Sequence, residues 1–68
     1  MKAFKIWEDE KHYIHKKTTS DQNLTWTTNP KDAKEFERAC DGYKFFCDVL
    51  GFSYNADRPN ALKFENNL

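Results

Sequence analysis

Aliphatic side chains are scarce in this chain. Met1, Ile6, Ile14, Leu24, Val49, Leu50, Leu62 and Leu68 are all the Met, Ile, Leu and Val it has in 68 residues. No apolar run is long enough to span a bilayer, and the opening Met1-Lys2-Ala3-Phe4-Lys5 has no apolar stretch, so neither a membrane span nor a signal peptide is expected. Net charge is absent as well: eleven basic side chains balance eleven acidic ones. That disfavours a strong nucleic-acid binder, which needs a concentrated basic field, and equally a DNA mimic, which needs an acidic one. Cysteine is limited to Cys40 and Cys47. Seven residues along a helix is a rise of roughly 10 Å, so the two thiols cannot pair while the helix expected there is intact. Free thiols fit a reducing compartment, and the expected location is the cytoplasm. There is no repeat, linker or low-complexity stretch, and the chain reads as one domain, residues 1–68.

What is abundant is aromatic. Two Trp, three Tyr and six Phe outnumber the aliphatics. A single small core does not easily hide that many rings, so some are expected at the surface, where Trp and Tyr anchor protein interfaces.

Alternation marks the strands. Phe4-Lys5-Ile6-Trp7 reads as the first, Glu8-Asp9-Glu10 as a polar turn, and His12 to Lys16 as the second. The hairpin register has two solutions. A three-residue loop puts Phe4 and Ile6 on the face of Ile14; a two- or four-residue loop puts them with Tyr13 and His15. The first is expected, because it gathers the aliphatics inside and leaves Trp7 and Tyr13 together outside. Leu24 to Thr27 reads as a short third strand, with Leu24 and Trp26 inward. Asn29 and Pro30 form a strong helix start, and Ala33, Phe36 and Cys40 follow at helical spacing. A second start falls at Asp41. Tyr43 to Leu50 is the second helix, packing through Phe46, Val49 and Leu50, closed by Gly51 as a left-handed cap with Phe52 beyond it. A loop over residues 55–60 precedes a last strand at residues 61–65. The expected fold class is α+β: a three- to four-stranded antiparallel sheet with two short helices packed on one face, in the order β-β-β-α-α-β.

Tyr13-Ile14, Trp26-Thr27, Ala33, Phe36 and Leu50-Gly51, in this order of elements, carry a resemblance that spans most of the chain. It resembles small accessory proteins of phages and mobile elements of Gram-positive bacteria. The resemblance implies a non-enzymatic protein that binds and inhibits a bacterial host or defence protein, in the manner of an anti-CRISPR. It transfers no catalytic residue.

The residues themselves offer little chemistry. His12 and His15 do not converge, since a His-x-x-His on a strand points its rings to opposite faces, and the two cysteines lie too far apart for one ion. No metal or cofactor is expected. Cys40, near a helix start, has the commoner fate of a packed thiol, and no phosphate loop, nucleophile elbow or carboxylate pair occurs, so no catalytic residue is expected either. A basic and aromatic hairpin (Lys2, Lys5, Lys11, His12, Tyr13, His15, Lys16, Lys17) is the alternative, a small nucleic-acid-associated protein, opposed by Glu8, Asp9 and Glu10 at its tip. The favoured expectation is a protein-binding face. On the outer side of the hairpin, Trp7 and Tyr13 are expected to project together, flanked by Lys5 and Lys11. The helix-side alternative is Tyr43 and Phe45, with Tyr54 as a further candidate. The partner is expected to be a bacterial protein, with a homodimer through an open sheet edge or the outer face as a second state.

Overall fold

A computed structural model describes residues 1–52 and 62–66. Four strands make one antiparallel sheet: β1, Lys2–Trp7; β2, Glu10–Ile14; β3, Trp26–Thr27; and β4, Lys63–Glu65, in the spatial order β3-β2-β1-β4. One helical run covers one side. It begins as an α-helix, α1, over Ala39–Lys44, and continues without a break into a π turn over Phe45–Val49. The fold is α+β as expected, with one helical run among the described residues where two helices were expected.

The hairpin register differs from the expected one. Phe4 lies opposite Tyr13 and Trp7 opposite Glu10, so the loop is the two residues Glu8 and Asp9. Both have positive φ, 53° and 62°, the mirror-image turn whose twist matches that of the flanking strands. Glu-Asp lacks the glycine that normally marks this turn, and side chains at positive φ carry a steric penalty. Packing decides against the local preference. This register sends Ala3 and Ile14 to the helix side with Trp26, and it sends Phe4 and Tyr13 to the other. Both faces are then filled. Ala3, Ile14, Phe46, Leu50 and Leu62 form the main core, with Leu24 and Trp26 packed against it as expected. Phe4, Tyr13 and Ala33 form a second buried cluster on the opposite face, with Ile6 beside it.

Ala33 reaches that face because the first expected helix does not form. Asn29 caps as expected, accepting from the Lys31 N–H at 3.0 Å, but only one 3₁₀ turn follows, Pro30–Asp32. From Ala33 the chain is extended. It closes the open end of the hairpin, bridged to His15 at Ala33 and to Lys2 at Glu35. The Lys34 N–H donates to the Ile14 carbonyl and the Phe36 N–H to the Met1 carbonyl, both at 2.7 Å. These partners satisfy the backbone where a helix would have done so, and they bury Ala33 at the same time.

The helical run starts at Ala39, two residues before the expected start at Asp41. Arg38 is its extended N-cap and makes no side-chain cap bond. Its end is as expected, with Gly51 at φ 78° and Phe52 folded back so that its ring stacks on Phe46, centroids 4.4 Å apart. One packing residue changes. Val49 is 40% exposed, whereas Phe46 and Leu50 are buried. The Leu50 N–H donates to the Phe45 carbonyl, five residues back, and a turn that wide returns Leu50 over the core and carries Val49 outward.

The polar loop after β2 is held by side chains. Thr18 is fully buried; its hydroxyl accepts from the Thr25 N–H at 3.1 Å and reaches the Thr25 carbonyl at 3.4 Å. The Asn23 side-chain oxygen accepts from the N–H groups of Thr19 and Ser20, and its amide donates to the Lys17 carbonyl. The expected loop over 55–60 and Tyr54 lie outside the described residues, as does Ala61 at the start of the expected last strand.

Candidate functional site

The observed register separates the residues that were expected to share a face. Side chains alternate along a strand, so Lys5 and Trp7 point to the helix side and Lys11 and Tyr13 to the other. The outer pairing of Trp7 with Tyr13 is therefore corrected.

Tyr13 is a core residue, 4% exposed. Its ring packs on Phe4 with centroids 5.8 Å apart, and its hydroxyl donates to Glu65 Oε2 at 2.7 Å. Lys11 takes the other carboxylate oxygen of Glu65 at 2.8 Å, and its ammonium also lies 5.0 Å from the Phe4 centroid. Tyr13 therefore joins β2 to β4 across β1, and it offers no ring face for a base to stack on. The Lys11 and Tyr13 hydrogen bonds hold the Glu65 carboxyl below the usual carboxylate range. Burial, followed by the bond to Glu65, pushes the Tyr13 phenol up to about 12.

Those shifts set a pH dependence. A carboxyl with a lowered folded value contributes stability above its ordinary range, and that contribution is lost as pH falls through the folded value. A phenol with a raised value contributes fully below about 10 and loses the contribution as pH rises towards about 12. Thermal melts against pH are expected to show a plateau between the two limbs. Glu65→Gln removes the Glu65 part of the acid limb, and Tyr13→Phe removes the Tyr13 part of the alkaline one. Unchanged limbs in these variants would mean the triad is open in solution.

On the helix side, Trp7 is half-buried at the hairpin end of the sheet. It stacks on His12 at 3.6 Å between centroids and 11° between planes, and meets Trp26 edge to face at 5.3 Å and 82°. Lys5, the cross-strand partner of His12, carries its ammonium to 5.5 Å from the Phe52 centroid and 5.9 Å from those of Trp26 and Phe46. It makes no ion pair with a described residue. The His12 Nε2 atom is buried without a hydrogen-bond partner, with Glu10 Oε2 4.0 Å away. Trp7, Trp26, Lys5 and Phe52 thus form one half-buried corner. Trp26 and Phe52 were legible as core and cap residues, but nothing local showed that they would meet Trp7.

The helix-side alternative is also drawn inward. Tyr43 donates its hydroxyl to the Leu62 carbonyl at 3.1 Å and meets Phe64 at 5.0 Å. Phe45 packs on Phe36 at 5.6 Å under the Lys34 ammonium, 4.9 Å from its centroid. Both rings are half-buried. Cys40 is an exposed free thiol and Cys47 a half-buried one. Among the described residues no group of three or more His, Cys, Asp or Glu side chains could hold a metal ion, and no helix is long and apolar enough to cross a membrane. Comparison with protein-family models, curated proteins and solved structures finds no match.

Proposed function

We propose that the chain is a non-enzymatic protein-binding module whose contact surface is the Trp7–Trp26–Lys5 corner. The reading rests on one observation: two half-buried Trp rings meet edge to face beside an ammonium whose described contacts are all with rings. Large rings already held in place lose little freedom on binding, and a cation set among them gains from being desolvated. Taken with the resemblance to phage and mobile-element proteins, the partner is a bacterial host or defence protein in the cytosol, which the chain occupies and blocks.

Immobilised wild-type chain should capture such a protein from a bacterial lysate. Trp7→Ala should weaken that capture by about 2 kcal/mol or more, roughly thirtyfold, and Lys5→Gln should weaken it measurably. Lys5→Gln keeps the fold, because the ammonium makes no hydrogen bond or ion pair with a described residue, and its described neighbours are rings. Full retention by both variants, with folding checked by circular dichroism, would remove this corner from the account. A steep loss of binding with added salt would point to nucleic acid instead.

A further inference from the structure

β4 is an edge strand, and its pairing parity leaves one residue facing outward. The two-residue hairpin loop makes Trp7 and Glu10 a hydrogen-bonded pair, so the backbone groups of Trp7, Lys5 and Ala3 turn towards β2. Those of Lys2 and Phe4 turn towards β4, where they meet Glu65 and Lys63. The N–H and C=O of Phe64, between them, therefore point away from β1, at an edge that no described strand pairs with. The neighbouring outward carbonyl, that of Leu62, is the one that accepts from Tyr43, which fits this parity. No described residue bonds the Phe64 backbone.

We infer that this edge pairs with a second copy of the chain, antiparallel, about a two-fold axis at Phe64. In that register Phe64 of each copy exchanges both backbone hydrogen bonds with its counterpart, and Lys63 of one copy stands opposite Glu65 of the other. Opposite positions flanking a hydrogen-bonded pair are the closely spaced ones, where unlike charges attract most. Lys63 is exposed and has no ion pair of its own among the described residues. Lysine on an edge strand ordinarily repels a foreign apolar strand; across this axis it meets a carboxylate, so the same residue selects self over other. The Phe64 rings of the two copies fall on the helix side, each beside its own Tyr43. The strand is three residues long, so the dimer is weak and dependent on concentration. This inference stands on β4 alone and is independent of the partner-binding corner.

Sedimentation equilibrium from about 10 μM to about 1 mM tests it, together with hydrogen exchange of the Phe64 amide in the same samples. The wild-type mass should rise towards twice that of the monomer, and the Phe64 amide should gain protection in step. Lys63→Glu, which puts carboxylates opposite one another, should weaken dimerisation by at least tenfold; Lys63→Gln should fall between. A wild-type chain that stays monomeric throughout overturns the inference. So does a dimer that Lys63→Glu leaves intact, or one in which the Phe64 amide exchanges freely. Should Lys63→Glu fail to fold, the wild-type Phe64 amide alone decides.

Discussion

Tyr13→Ala is expected to unfold much of the population, not merely to release a partner. Truncating a buried aromatic costs about 3–5 kcal/mol through lost transfer energy and the cavity left behind. Tyr13 adds a second loss. Its hydroxyl is one of two described groups hydrogen-bonded to Glu65, so removing it loosens β4 from the sheet as well as emptying the Phe4–Ala33 cluster. A chain of this size has roughly 3–10 kcal/mol of total stability at the usual value per residue, so the substitution removes much or all of it. Tyr13→Phe keeps the ring and gives up only the bond, which costs about 1–2 kcal/mol. Urea denaturation of the three proteins separates the contributions. If Tyr13→Ala melted within about 1 kcal/mol of wild type, the residue would be at the surface and the three-residue hairpin register would return.

The second large effect is on the helix. Phe46→Ala should cost about 3–5 kcal/mol, and Val49→Ala no more than about 0.5 kcal/mol. In a regular α-helix, residues three apart share a face, so the two substitutions would both be costly. Here Phe46 is 6% exposed and sandwiched against Phe52, while Val49 is 40% exposed. The contrast between the two therefore measures the π turn itself. Similar losses from both would show that the helix is regular and that Val49 faces the core.

Hairpin register and helix packing are where local reading and tertiary structure part. Alternation located all four described strands, because successive side chains of a pleated chain point to opposite faces whatever its neighbours are. Gly51 could be assigned as a left-handed cap, because its conformational freedom is a property of the residue. Asn29 could be assigned as a cap for a similar reason: its side chain reaches its own backbone two residues on.

Other features depend on atoms far away in sequence. Whether the helix begun at Pro30 would continue was settled by the carbonyls of Ile14 and Met1, which captured the N–H groups of Lys34 and Phe36. The same extended segment brought Ala33 over the outer sheet face, and that cover is what allows Phe4 and Tyr13 to be buried there. Once that face has something to bury against, the aliphatic count no longer selects the register, and the two-residue turn with positive φ at Glu8 and Asp9 becomes acceptable. The candidate site moved with it. Trp7, Tyr13, Lys5 and Lys11 were recognisable from composition as residues of consequence. A shift of register by one residue exchanges the faces of a strand, so only the tertiary structure could pair Trp7 with Trp26 and seal Tyr13 against Glu65.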